Sequence, residues 1–325
     1  MPTVETARGP LDTAALGAVL MHEHVFILSH EFHVNYPDVV GFDADREVAA
    51  AVERMDELVD AGVGTIVDLT VVGLGRDVQL VARVAERTAL NIVVATGYYT
   101  FTDLPTFVHA RAGFAQKPTA DLLAEWFVSD ITDGIARTGI KAGILKVATD
   151  HQGVTPDVEA TLRGVARAHL QTGVPISTHT HPATRRGLEQ QDIFEEEGVD
   201  LSRVIIGHSG DTDDLDYLEQ LIVRGSYLGM DRFGLYGILS KEARVETIAA
   251  LCRRGHAERL VLSHDANCVM DWYPPDAGQI LEDWHYCHIS RDVLPMLRDA
   301  GVTDDDITTM LVDAPRRIFD SSEKY

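Results

Sequence analysis

Short apolar runs alternate with stretches of helical periodicity eight times along this chain, and that alternation limits its fold more than any other feature. The first run passes from Gly17 through Met21 to Phe26. The others cover residues 65–70, 91–97, 142–148, 174–180, 203–208, 226–231 and 259–265. Between them, apolar residues recur at helical spacing over 43–60, 77–88, 121–137, 157–172, 186–197, 214–224 and 241–254. Two further helices are expected near 291–300 and 304–319. Nearly continuous apolar strands suit a parallel sheet buried on both faces. Strand-then-helix repeated eight times predicts one (β/α)8 TIM barrel occupying residues 1–325 as a single domain. No Gly-x-Gly-x-x-Gly follows a strand, so a dinucleotide-binding open sheet has no support. Residues 28–41 and 266–290 read as loops.

Charge narrows the ligand class. With 28 basic and 51 acidic residues the chain carries a formal −23. Nucleic acid and anionic membrane surfaces both demand a basic face, so neither is an expected partner. A neutral small molecule suits this charge better than a dianion. Three cysteines, Cys252, Cys268 and Cys287, are odd in number and widely spaced, which fits neither a disulfide scaffold nor a zinc ribbon. The first residues hold no basic segment followed by an apolar one, and no run of about 18 apolar residues occurs. A cytoplasmic enzyme is the expectation.

Chemistry gathers at the strand ends. In a barrel of this kind the C-terminal ends of the strands form the active face. His22 and His24 close the first run, and i, i+2 spacing on a strand puts both imidazoles on one face. Lys146 interrupts the fourth run. His179 ends the fifth, His208 the sixth and Asp265 the eighth. Buried polar groups of this kind are paired or coordinated, and one metal centre satisfies all six. An ammonium cannot ligate a cation. Lys146 converted by carbon dioxide to a carbamate can, and its two oxygens can bridge two ions. His181 shares the parity of His179 but is expected just beyond the strand. His264 is expected to face away from Asp265, into the barrel–helix layer. His109, His169 and His256 read as structural or surface residues.

His22-x-His24, Lys146, His179, His208 and Asp265, in that order, resemble the binuclear metal site of the amidohydrolase superfamily. The resemblance narrows to the phosphotriesterase family and its phosphotriesterase-like lactonases. It runs from Arg8-Gly9-Pro10 to Pro315-Arg316-Arg317-Ile318-Phe319, through Gly187-Leu188-Glu189-Gln190-Gln191, Ile206-Gly207-His208-Ser209-Gly210-Asp211 and Gly229-Met230-Asp231-Arg232-Phe233-Gly234. It implies that His22, His24 and Asp265 hold the more buried ion and His179 and His208 the more exposed one, with the Lys146 carbamate bridging them. It also implies a homodimer. Tyr99 matches a tyrosine that lactonase-type members keep after the third strand, and Arg232 resembles the family's pocket arginine. Residues 101–115 depart from the family pattern.

The reaction implied is metal-assisted hydrolysis by a metal-bridging hydroxide, with Asp265 accepting the proton. No Gly-x-Ser-x-Gly elbow offers a serine nucleophile. Mixed nitrogen and oxygen ligands suit zinc first, with iron, cobalt or manganese as alternatives. Cys268, Met270, Trp272, Tyr273, Pro274, Pro275 and Trp284, all within 266–290, suggest an apolar channel over the barrel mouth. The leading expectation is a quorum-quenching lactonase for N-acyl-homoserine or other aliphatic lactones, with organophosphate triester hydrolysis as a side activity. The alternatives are a true phosphotriesterase (aryldialkylphosphatase), a non-catalytic metal- or ligand-binding barrel, and an amidase.

Overall fold

The computed structural model describes residues 2–273 and 281–320. Its first element is an antiparallel hairpin of β1 (Thr3–Thr6) and β2 (Gly9–Asp12). Ala7 at the hairpin tip donates its N–H to the Ile92 carbonyl at 2.8 Å, which seats the hairpin at the N-terminal end of the barrel.

The barrel strands follow: β3 (Ala18–Ile27), β4 (Val63–Asp68), β5 (Asn91–Tyr98), β6 (Ile144–Ala148), β7 (Ile176–His179), β8 (Val204–Ile206), β9 (Tyr227–Met230), β10 (Leu260–Leu262) and β11 (Asn267–Met270). They form one parallel sheet in the order β10-β9-β8-β7-β6-β5-β4-β3-β11. The segments β10 and β11 are two halves of the last barrel strand, broken at His264–Asp265. The break closes the barrel. Asp265 N–H donates to the His22 carbonyl at 3.0 Å, and His24 N–H donates to the Ala266 carbonyl at 2.9 Å.

Alternation along the strands separates two apolar layers. Val19, Met21, Val67, Val93, Ala95, Ile144, Ile205, Tyr227 and Val261 pack together inside the barrel. Leu20, Ile66, Ile92, Leu145, Ile176, Ile206, Leu228 and Leu262 pack outward against the helices. The pattern slips once, at a decisive place. Pairing steps from Leu20↔Ile66 to Glu23↔Asp68, so β3 carries an extra residue there. This β-bulge turns both Met21 and His22 inward, and the alternation then places His24 inside and Glu23 outside.

Helix signals in the sequence translate directly. Asp43 accepts from Asp45 N–H and Arg46 N–H to cap the helix Ala44–Asp60, and Gly62 follows that helix at φ +88°. Two expectations need correction. Residues 28–41 are not a loop but carry the short helices His30–Asn35 and Pro37–Val40, with Pro37 at the start of the second. Residues 266–290 are not loop throughout, because β11 extends the barrel seam beside β3. Pro274 and Pro275 lie outside the described residues. Residues 101–115 include the helix Thr106–Ala115.

Candidate metal centre

All six side chains singled out at the strand ends meet inside the C-terminal mouth. His22 and His24 come from β3, Lys146 from β6 and His179 from the end of β7. His208 and Asp265 follow β8 and β10 with φ of +57° and +56°. These left-handed residues are uncommon for anything but glycine and turn each side chain into the barrel at a strand end. His24 Nε2 lies 3.0 Å and His22 Nε2 3.3 Å from Asp265 Oδ1. Lys146 Nζ is 3.1 Å from His22 Nε2 and donates to the Thr178 carbonyl at 3.2 Å. On the other side, His208 Nε2 is 2.9 Å from His179 Nδ1.

Each imidazole is oriented through its other nitrogen. Asp231 Oδ2 holds His22 Nδ1 at 2.8 Å, and Asp231 Oδ1 holds His208 Nδ1 at 2.8 Å. Asp150 Oδ2 holds His179 Nε2 at 2.8 Å. His24 Nδ1 meets Thr70 Oγ1 at 2.8 Å, and Thr70 donates its own O–H to Asp68 Oδ1 at 2.6 Å. A ring that donates from one nitrogen carries a lone pair on the other. His22, His24, His179 and His208 therefore all aim bare nitrogens into the centre. The two facing each other at 2.9 Å, on His208 and His179, repel unless a cation lies between them. This donor set fits divalent metal, and the carboxylate-to-histidine arrangement is the usual support for metal-bound imidazole.

Electrostatics points the same way. Burial lowers the pKa of His22, His179 and His208, His179 to about 4, so the rings stay neutral as ligands must be. Burial brings Lys146 down to about 8, which makes its free amine accessible near neutrality. Burial alone would raise Asp265, but the surrounding hydrogen bonds and positive charge, with Arg232 as the permanent cation, hold this carboxyl well below its usual range.

Arg232 Nε donates to Asp265 Oδ2 at 3.1 Å and Nη1 to Asp211 Oδ2 at 2.9 Å. Tyr99 OH is 3.5 Å from His179 Nδ1, and burial keeps its phenol protonated. The Phe101 ring packs 5.0 Å from the His179 ring and 4.9 Å from that of Tyr99. His181 sits just past β7 against His151, outside the cluster. His264 is fully buried and faces outward as expected: its Nδ1 donates to Glu23 Oε1 at 2.7 Å.

Sequence reading missed Asp231, Asp150, Asp68 and Glu23 as supporting residues. Asp231 had the available signal, since it is a carboxylate ending an apolar strand. Among the described residues two other groups could hold an ion. The group of His22, His208 and Asp231 uses the ring nitrogens that Asp231 already occupies. In the group of His285, His288 and Asp292, the buried His288 is satisfied by Asp292 at 2.9 Å and Tyr236 at 2.5 Å.

A model of the phosphotriesterase family matches residues 2–319. The chain is 57% identical over 326 residues to the phosphotriesterase homology protein of Mycobacterium tuberculosis, covering 100% of both. It is 36% identical over 312 residues to the aryldialkylphosphatase of Saccharolobus solfataricus, covering 95% of this chain and 96% of that one. The solved structure of the phosphotriesterase from Mycobacterium tuberculosis superposes with a TM-score of 0.94 at 56% identity over 100% of both chains. A structure described as molecular engineering of organophosphate hydrolysis activity from a weak promiscuous lactonase template gives 0.88 at 33% identity, covering 98% and 99%.

Proposed function

The chain belongs to the phosphotriesterase family, and from that premise we propose that it is a lactonase for N-acyl-homoserine or other aliphatic lactones, with organophosphate triester hydrolysis as a side activity. It is a metal-dependent hydrolase acting on ester bonds. The solved relative described as a weak promiscuous lactonase template supports the finer reading. Within this chain, the observation that carries it is Tyr99, a neutral donor 3.5 Å from His179.

His22, His24 and Asp265 would hold one ion, His179 and His208 the second, and Lys146 as its carbamate would bridge them. Zinc leads the candidates, with iron, cobalt and manganese as alternatives. When bound, the ions would acidify a shared water and polarise the scissile ester.

The protein's own groups do the rest. Asp265 stays anionic, so it is ready to accept the proton of the attacking water and return it to the leaving alkoxide. Arg232 pins Asp265 Oδ2 and is itself anchored by Asp211, which fixes the orientation of that carboxylate. Tyr99 offers its O–H to a lactone oxygen. Phe101 and Tyr99 crowd the His179 side, which suits a flat ring better than the three substituents around a phosphotriester phosphorus. Trp272 and Tyr273 are half exposed after β11 and supply apolar surface for an acyl tail. A quorum-quenching role follows from this substrate class.

The expected homodimer has a matching surface. Phe32, Val34, Tyr36 and Val39 expose apolar side chains on the two short helices after β3. Asp271 ties those helices to the last strand, through Ser29 Oγ at 2.9 Å and His33 Nε2 at 2.6 Å.

A true phosphotriesterase is the second reading, favoured by the relative named aryldialkylphosphatase. The deciding test is kcat/KM for a long-chain N-acyl-homoserine lactone and for paraoxon on one metal-loaded sample. The lactone is expected to lead by orders of magnitude. A lead for paraoxon selects the second reading, and metal binding without turnover of either selects a ligand-binding barrel.

A further inference from the structure

We infer that Asp231 is the positioning residue that sets both halves of the metal centre at once, by fixing the tautomer of one histidine on each side. The inference rests on the metal-ligand reading above. Asp231 is buried beneath the site and touches both halves. Its Oδ2 accepts from His22 Nδ1 at 2.8 Å. Its Oδ1 accepts from His208 Nδ1 at 2.8 Å and also from the His208 backbone N–H at 2.8 Å. The carboxylate thus uses both oxygens for three donors, and no neutral side chain of the same shape can do so.

The sequence makes room for it. A Cβ on Gly229 would stand 2.5 Å from Asp231 Oδ2, and one on Gly207 3.3 Å. Gly229 leaves the space the carboxylate fills, while Gly207, on the neighbouring strand end, is required first by the Thr178 carbonyl, 2.0 Å from its Cβ position, and adds a little room beside Asp231. The two segments are joined by the pair of hydrogen bonds from His208 to Asp231 Oδ1.

The consequence is an asymmetry. In Asp231→Asn the amide keeps the shape but has one accepting oxygen and one donating NH2. Two donors converge on the Oδ1 position, both from His208, so the amide oxygen goes there. The NH2 then faces His22 Nδ1 and can only donate to it. His22 must accept at Nδ1 and move its proton to Nε2. A protonated Nε2 has no lone pair to offer, so the half containing His22, His24 and Asp265 loses a ligand while the His179 and His208 half keeps both.

The test is a binding titration, not a rate. Metal-free wild type and Asp231→Asn are titrated with Zn²⁺ against a chromophoric chelator. Wild type is expected to take two equivalents. The variant is expected to keep one at wild-type affinity and bind the other 10- to 100-fold more weakly, the usual scale for losing such a support. Adding His24→Ala to the variant should change little, whereas adding His179→Ala should weaken what remains. Two wild-type sites in Asp231→Asn, or equal weakening of both, overturns the inference. Wild type taking up no tight metal would overturn the metal-ligand reading instead. Should the variant fail to fold, long-range ¹H–¹⁵N spectra of zinc-loaded wild type decide: protons on Nδ1 of both His22 and His208 are expected, and the absence of either refutes the role.

Discussion

Removing one oxygen atom tests the lactone reading most directly. In Tyr99→Phe the ring and its packing against Phe101, 4.9 Å between centroids, remain. The lost hydroxyl lies 3.5 Å from His179 Nδ1, at the outer limit of a hydrogen bond, so little ground-state stabilisation goes with it. The melting temperature is therefore expected to move by no more than about 2 °C. The hydroxyl matters only when an ester oxygen that gains charge in the transition state comes within reach. Loss of one such donor costs about 2–3 kcal/mol, or roughly 30- to 150-fold in kcat/KM for the lactone. On the proposed reading Tyr99 serves the lactone oxygen and not the phosphoryl group, so paraoxon turnover is expected to fall less than about fivefold. Both constants would be measured on one metal-loaded preparation. Equal losses for the two substrates, or a melting temperature lower by many degrees, would refute the assignment of Tyr99 to the lactone oxygen.

Four other expectations concern three separate parts of the molecule. Lys146→Met is expected to retain less than one tightly bound metal per chain, read by elemental analysis after desalting, and full occupancy would rule out the carbamate bridge. Because Lys146 has its pKa lowered to about 8, the neutral amine that reacts with carbon dioxide grows as pH rises from 6 to 8, so metal loading with bicarbonate should accelerate across that window. Arg244 is buried, with Nη2 2.6 Å from Asp211 Oδ1 and Nη1 2.7 Å from the Gly210 carbonyl. Arg244→Met leaves the Asp211 carboxylate short of a partner and is expected to lose about 3–5 kcal/mol in urea unfolding. Val39→Glu places a charge on the exposed apolar patch after β3, and sedimentation is expected to show a monomer with unchanged fold.

The barrel was legible because its period is coarse. Strand and helix alternate over dozens of residues, so a boundary error of two residues changes nothing. The convergence of the six candidate side chains was legible for a related reason: a polar residue ending an apolar strand has few other uses. What escaped depended on single-residue geometry. Counting alternation from Val19 and Met21 puts Glu23 inside and both histidines outside, and only the bulge between Leu20 and Glu23 reverses this. Nothing in the local sequence marks the bulge, because its cause is the pairing with β4. The inward turns of His208 and Asp265 arise from left-handed backbone at non-glycine residues, which the tertiary structure imposes. In the sequence Asp231 is only part of a family landmark, since its role appears when two strands bring His22 and His208 to its two oxygens. The helices after β3 were read as loop because their buried face is small: none of residues 30–40 is buried.

The seam between β3 and the last strand has a consequence for how the protein is made. His24 and Asp265 meet across it at 3.0 Å although 241 positions separate them in the chain. During synthesis His22 and His24 emerge well before Asp265 and must wait for it. No shorter nascent chain can bring the two halves of the first ion site together, whatever helices it has already formed. Capture of metal at the proposed site would thus report that the circle of strands has closed, and a chain stalled or cut before residue 265 would leave the ion free for a complete one.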